Sequence, residues 1–255
     1  MQDWNPEAYS RFRGLRLRPA LDLLAQVFTV PEGLVIDLGC GSGAVGEALT
    51  SRFGARVVGV DASPAMLAKA AATGAYVSVS ETDIADWTPE TPPALIFSNA
   101  ALHWLPRHAT LMPRLARSLR PGGVLAVQMP RQSGAPSHRF LRDIAASMFP
   151  DRFDFGGYEA PVQPASVYWQ MLSEFGAVEA WETDYVHHLS AAAVGHPVRS
   201  FTESTAMRPI VERLSASEAA AFIARYDVAL GSAYPILADG GTLFPFRRVF
   251  FTLTV

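Results

Sequence analysis

One cysteine, Cys40, stands in a chain of 255 residues, which excludes an intramolecular disulfide and any zinc cage built from several thiolates, and fits a reducing compartment. Charge is scarce and nearly balanced: 21 Lys and Arg against 24 Asp and Glu give a net −3. No basic excess is spread over the chain for nucleic acid, so an anionic ligand has to be held by local cations. Long apolar runs are missing as well. No segment approaches the roughly 20 apolar residues of a membrane span. The opening "MQDWNPEAYS" carries Asp3 and Glu7 where a secretory signal shows basic residues and then an apolar stretch. We expect a cytoplasmic protein with neither a nucleic-acid nor a membrane partner. What remains is 49% hydrophobic residues, enough for the core of one large domain.

From about residue 33 to 129, short β-branched runs alternate with Ala/Leu-rich stretches, as in βαβ units packed on a parallel sheet. The pattern predicts strands at 34–38, 56–61, 75–79, 94–98 and 124–129, with helices between them. The helix after the second strand has Ser63 as its cap and Pro64 at the first helical position, where a missing N–H costs nothing. "LRPGG" at 119–123 is a turn closing a helix before the fifth strand. Residues 1–30 read as two short helices, broken near Gly14, lying over the site, and 31–130 as the ligand-binding core of a single domain. A Pro/Gly-interrupted stretch follows, then a helix in "SVYWQMLSEFGA" capped by Ser166 and stopped by Gly176. "VEAWETDYVHHL" and "RRVFFTLTV" predict an antiparallel pair at one sheet edge. Between them, 191–245 is helical, including a capping-box match from Ser215 to Glu218, and reads as a lid inserted before the last strand.

The stretch "LVIDLGCGSGAVG" at 34–46 carries the chemistry. A strand running into Gly39, Gly41 and Gly43 and then a helix brings backbone N–H groups against a ligand, because a Cβ there would block the approach. Two registers compete: Gly41, Gly43 and Gly46 satisfy the dinucleotide pattern G-x-G-x-x-G, while Asp37 to Gly43 satisfy D-x-G-x-G-x-G. Asp61, at the end of the second strand, is placed to accept both hydroxyls of a ribose, which either ligand has. Asp37 discriminates better, since a carboxylate facing the turn repels a pyrophosphate and favours the ammonium of an amino-acid moiety. That points to S-adenosylmethionine. Asp83 follows the third strand where an adenine amino group would be met, with Ile84 covering the ring.

From 31 to 129 the chain resembles the class I S-adenosylmethionine-dependent methyltransferases: "VIDLGCGSG", "VVGVDASPAMLAKA", "TDIADW", "LIFSNAALHWL" and "LRPGGVLAVQMP" fall in the family's order. The resemblance implies an α/β, Rossmann-like seven-stranded sheet, mostly parallel, with an antiparallel C-terminal strand. It also implies cofactor-binding roles for Asp37, Gly39, Cys40, Gly41, Gly43, Asp61, Ala62, Met66, Asp83, Ile84 and Asn99. The flanks extend it. "DWNPEAY", "RLRPALDLLAQV", "SNAALHWLPRH", "WETDYVHHL", "MRPIVERL" and "ADGGTLFPFRRVF" are similar to the trans-aconitate 2-methyltransferases over nearly the full length, which implies methyl-ester formation on a small tricarboxylic acid. The likeness thins over 131–165 and at "SFTEST", where Phe201 stands in place of a tryptophan.

A carboxylate acceptor is ionised at neutral pH and needs no general base. It needs cations for its other carboxylates, preferably arginines. Arg208, Arg247 and Arg248 lead, followed by Arg11, Arg13, Arg16 and Arg18. His103 and Trp104, just past the fourth strand, are expected to shape the acceptor site, so the catalytic set is His103, Trp104, Arg208 and Arg248. Trp4 and Tyr9 can close over a sulfonium or anchor the N-terminus. No metal is expected from His187, His188 and His196: neighbours on a strand face opposite sides, so one of His187 and His188 points away from any shared ligand. Cys40 reads as a small residue packed beneath the cofactor. The expected state is a monomer or weak homodimer with a small-molecule carboxylate as partner. Three alternatives stay open: a methyltransferase for a carrier-bound malonyl group or another metabolite acid, a nicotinamide-dependent oxidoreductase, and a regulatory protein that binds the cofactor without transfer.

Overall fold

A computed structural model describes residues 13–203 and 205–255, with the side chains of 17 onward. Trp4, Tyr9 and Arg11, and the side chains of Arg13 and Arg16, lie outside the described residues. In chain order the elements are α1 (Arg13–Ala25), β1 (Val35–Leu38), α2 (Gly46–Phe53), β2 (Val57–Asp61), α3 (Pro64–Ala72), β3 (Ser78–Glu81) and β4 (Leu95–Asn99). After a 3-10 turn at Leu102–Trp104 come α4 (His108–Ser118), β5 (Val124–Pro130), α5 (Pro136–Met148), α6 (Ala165–Leu172) and β6 (Ala177–Leu189). The chain closes with α7 (Pro197–Thr202), α8 (Arg208–Val211), α9 (Ala216–Ala233) and β7 (Thr242–Thr254).

The seven strands form one sheet in the order β3-β2-β1-β4-β5-β7-β6. The first five run parallel, and β7 runs antiparallel to β5. The seven-stranded, mostly parallel sheet is therefore as the sequence predicts. Burial explains the strand compositions. All four residues of β1 and the first four of β4 are buried, as continuous apolar runs covered on both faces should be. The outer strand β3, "SVSE", is mostly exposed. Its missing apolar signal explains why it lies three residues later than expected.

Other details depart from expectation for local reasons. α1 as described begins at Arg13, beside the Gly14 where two helices are expected to part, and the residues of the first of them lie outside the described residues. Ser166 lies inside α6, whose N-cap is Pro164 without a side-chain hydrogen bond. The stretch after β5 holds α5, which buries Ser137, Leu141, Ile144 and Ala145 on one face although Pro and Gly punctuate its approach. Ser63 does cap α3, its Oγ accepting from the Met66 N–H at 3.3 Å. The Ser215–Glu218 capping box is present at the start of α9.

The chain divides into two compact units, 1–130 with 161–183 and 248–255, and 131–160 with 184–247. In the first, the core is the sheet itself, with Phe97, Leu125, Val127, Phe250 and Phe251 wholly buried. In the second, α5 packs on α9, and Tyr226 donates to the Ser137 carbonyl at 2.6 Å. Phe201, Phe244 and Phe246 form an aromatic cluster there, and buried Arg199 pairs with Asp227 at 2.9 Å. Among the described residues no helix is long and apolar enough to cross a membrane.

Candidate active site

Strand register decides which side chains share a face. Asp37 pairs with Gly59 and Phe97, Asn99 with Gln128, Gln128 with Phe250, and Pro130 with Arg248. Side chains alternate along each strand, so Asp37, Asp61, Asn99, Gln128 and Arg248 all stand on one face. The acids are on β1 and β2 and the cation is on β7. With strands about 4.8 Å apart, roughly 14 Å separates β1 from β7.

At the acidic end the carboxylates are tied to backbone. Asp61 accepts from the Gly41 N–H and the Ser63 N–H, each at 2.9 Å, so the turn after β1 is braced against the end of β2. A Cβ on Gly41 would stand in open space, whereas one on Gly39 would lie 2.2 Å from the Ala101 Cβ. Gly39 also has a φ of +80°, so it is glycine for two reasons. Asp37 is buried, and the Tyr76 hydroxyl donates to it at 2.7 Å. Burial raises the Asp37 pKa to about 7, with Asp61 adding to the rise and Tyr76 opposing it. Tyr76 also fills the space under the turn: a Cβ on Gly46 would fall 2.6 Å from its ring. Cys40 is buried beside Leu67 and Ala70, and burial with the two nearby carboxylates pushes its thiol pKa well up. It stays a thiol at neutral pH.

The remaining cofactor candidates surround this end, except Asn99, which ends β4 in register with Gln128. Asp83 is exposed and accepts from the Ala85 N–H at 2.8 Å through one oxygen. Ile84 is buried, its Cδ1 3.3 Å from the Gly39 Cβ position, and its carbonyl accepts from Arg114. Ala62 is exposed and Met66 buried at the start of α3. The acids, Gly39, Gly41 and Ile84 are thus gathered at the ends of three adjacent strands. Gly43, like Gly46, lies against Tyr76.

The other end is built differently. After β4 the chain turns sharply through Ala100, whose φ of +53° is unusual for a side chain with a Cβ. That turn presents His103 and Trp104. It is held from behind by His108, whose Nε2 lies 2.9 Å from the Leu102 carbonyl and whose Nδ1 lies 2.7 Å from the Tyr168 hydroxyl. Burial and the Arg248 charge lower the His103 pKa to about 3, so its ring is neutral at pH 7. Trp104 is 57% exposed, with its ring 4.6 Å from the imidazole. Arg248 is buried and donates to the Gln128 Oε1 at 3.2 Å. Buried atoms without a hydrogen-bond partner include Asn99 Oδ1, His103 Nδ1 and Gln128 Nε2. Each such atom costs about 1–3 kcal/mol, which native structures pay mainly where a ligand or water completes the set.

Of the other predicted cations, Arg247 and Arg208 lie in the second unit. Arg247 faces away from Arg248 on the same strand and pairs with Asp184, both nitrogens at 2.8 Å. Arg208 is exposed and pairs with Glu212 at 2.6 Å. Arg18 in α1 pairs with Asp22. His187 is buried near Tyr185 and Phe246, whereas exposed His188 pairs with Asp239, and His196 caps α7. Tyr76, Gln128 and His108 carry no motif: strand pairing places Gln128, and side-chain hydrogen bonds to residues distant in sequence place Tyr76 and His108.

A family described as "methyltransferase domain" matches residues 35–123. The chain is 44% identical to the trans-aconitate 2-methyltransferase of Methylobacterium nodulans over 98% of its own length and 97% of that protein's. It is 40% identical to the enzyme of that name from Azoarcus sp., over 98% of each chain. Among solved structures, the YcgJ protein of Bacillus subtilis superposes with a TM-score of 0.58 at 15% identity, covering 93% of this chain and 98% of that one. Haemonchus contortus phosphoethanolamine N-methyltransferase 2, solved with S-adenosylhomocysteine, gives 0.53 at 18% identity over 92% of this chain, which spans only 52% of it. These two likenesses concern the fold alone.

Proposed function

We propose, since the chain belongs to the trans-aconitate 2-methyltransferase family, that it is an S-adenosylmethionine-dependent enzyme forming a methyl ester on a small polycarboxylic acid, trans-aconitate first among them. The observation that carries this reading is the division of charge on one sheet face: Asp37 and Asp61 at one end, Arg248 at the other. A cationic methyl donor belongs at the first end and an anionic acceptor at the second.

The donor fits the residues present. Gly41 leaves its face open, and the Asp61 carboxylate is fixed by two backbone N–H groups with lone pairs left for ribose hydroxyls. Asp37, poised near 7, ionises fully beside a positive charge. Asp83 and Ile84 take the adenine, with Met66 and Ala62 beside the ribose. S-adenosylmethionine, when bound, supplies a methyl carbon whose bonding pair stays on sulfur as a carboxylate oxygen bonds to it, so no proton moves.

The chain's own residues therefore bind and orient. An acceptor carboxylate with a pKa near 4 is already ionised at pH 7. His103, neutral there, adds no charge to oppose the sulfonium and acts by position. Arg248 holds the acid, and Trp104 shapes the approach. Positioning of this kind supplies most of the barrier reduction when neither reactant needs activation. Arg208, in the second unit, enters this reading through the sequence resemblance.

Two measurements test it. Calorimetry should give tight binding of S-adenosylhomocysteine and none of NADH; the reverse would replace the methyltransferase with an oxidoreductase. Turnover of trans-aconitate to a methyl ester, read by mass spectrometry, should exceed turnover of a malonyl carrier protein. The opposite ranking would reassign the acceptor to a carrier-bound acid.

A further inference from the structure

We infer that Gln128, locked in orientation by Arg248, receives one non-reacting carboxylate of the acceptor and thereby sets the enzyme's preference for tricarboxylates over dicarboxylates. The inference rests on the ester-forming reading above and goes beyond it by assigning the selecting group.

Gln128 is the one polar side chain in the buried core of β5, "VLAVQMP", and it is wholly inaccessible. A glutamine in such a run needs a reason, because leucine or methionine would pack as well without a polar group to satisfy. Arg248 lies diagonally across from it on β7, two residues from its direct partner Phe250. A guanidinium only donates, so its bond at 3.2 Å must end on the amide oxygen, which settles the orientation of the amide. The Nε2 group is then fixed as a donor, and among the described residues it has no acceptor. Asn99, in register with Gln128 on β4, and His103, beyond the Ala100 turn, contribute two more unpartnered buried atoms to the same end of the sheet.

The partner that Gln128 Nε2 asks for, beside Arg248, is an acceptor of hydrogen bonds that also carries negative charge; Asn99 Oδ1, itself an acceptor, calls for a donor instead. An ionised carboxylate offers only acceptor positions, satisfies an amide N–H, and lies comfortably beside a buried guanidinium. A sulfonium or an amine would be repelled by the arginine and would leave the amide N–H unmet. Because Gln128 is neutral, it adds selectivity without cancelling the arginine charge. A glutamate at the same place would form an ion pair with Arg248 and turn the site against anions.

The experiment compares the unsubstituted enzyme with Gln128→Leu and Gln128→Glu, using trans-aconitate and two dicarboxylates, glutaconate and methylfumarate, which each lack one carboxylate of the tricarboxylate. Gln128→Leu should raise the KM for trans-aconitate roughly 10- to 100-fold, the loss of one hydrogen bond to a charged group, with kcat within about threefold. Its preference for trans-aconitate over whichever dicarboxylate lacks the bound carboxylate should collapse toward unity. Gln128→Glu should lose more, beyond about 100-fold. S-adenosylhomocysteine affinity by calorimetry should stay within about twofold in both, which also reports that the variants fold.

An equal loss on all three acids would mean that Gln128 merely packs or holds a buried water, and it would overturn the assignment, as would an unchanged KM. Should the unsubstituted enzyme bind S-adenosylhomocysteine yet methylate none of the three acids, the ester-forming reading falls before any substitution is made, and this assignment falls with it.

Discussion

The two ends of the sheet face are built on opposite plans. At β1 and β2 every carboxylate is already engaged: Asp61 by two backbone N–H groups, Asp37 by Tyr76. At β4, β5 and β7, Asn99, His103 and Gln128 all keep a buried atom without a partner. A prebuilt end suits a ligand that is the same in every turnover, because orientation is fixed before it arrives. An end with an unmet donor suits discrimination among acids, since one that fails to reach Gln128 Nε2 leaves its desolvation uncompensated. In the reading proposed above, the contrast is between affinity at one end and selectivity at the other.

The largest effect that can break this comparison is expected from Asp61→Ala. It removes the brace to Gly41 and the proposed ribose acceptor together, so S-adenosylhomocysteine affinity should fall by about 100-fold or more, on the scale of two hydrogen bonds to a charged group. Circular dichroism should show the fold retained, because Asp61 stands at a strand end rather than in the core. A large loss of acceptor affinity without loss of cofactor affinity would show the two ends to be reversed.

A smaller effect follows from pH. The Asp37 pKa stands near 7, above its unfolded value of 3.8, so the unliganded enzyme holds a proton there that unfolded chains have lost. Its stability should therefore fall as pH rises from about 4 to 7 and level off above. A cationic ligand favours the ionised form, so binding must release that proton below pH 7. Cofactor affinity should rise by up to about tenfold per unit as pH climbs toward 7, and flatten beyond it. Calorimetry in buffers of different ionisation enthalpy would count the released proton, and Asp37→Asn should remove the slope.

Tyr76→Phe sharpens the same point more gently. Loss of the hydroxyl removes the one interaction that lowers the Asp37 pKa, so the pH midpoint should move upward and stability should drop by about 1 kcal/mol. The ring stays to fill the space under Gly46, which keeps the turn in place. An unmoved midpoint would mean that Tyr76 acts only by packing.

The smallest effect is expected from Arg208→Ala. Arg208 is exposed and paired with Glu212, so stability should change by less than about 0.5 kcal/mol. Any rise in the acceptor KM would then report a direct role in holding the acid. An unchanged KM would leave Arg248 as the cation that matters.

The prebuilt end was legible in the sequence and the selective end was only half so, and the cause is range. Asp37, Gly39, Gly41 and Asp61 sit within one βαβ unit, where strand, turn and helix signals are local and the glycines mark themselves by spacing. Ser63 and Pro64 announced α3 for the same reason. By contrast Gln128 and Arg248 come together through strand pairing across 120 residues. A lone glutamine in an apolar run has no pattern to betray it. Arg247 and Arg248 looked equivalent as neighbours until the strand was seen to start at Thr242, which sends one to Asp184 and the other inward. β3 was misplaced because an exposed edge strand lacks the apolar alternation that marks the others.

A crystal structure of the enzyme with both S-adenosylhomocysteine and trans-aconitate tests the division of the face most directly. The account predicts the nucleoside ribose on Asp61, and a carboxylate of the acid within hydrogen-bond distance of Gln128 Nε2 and the Arg248 guanidinium. Finding the acid away from β5 and β7, or the nucleoside lying over them, would contradict it.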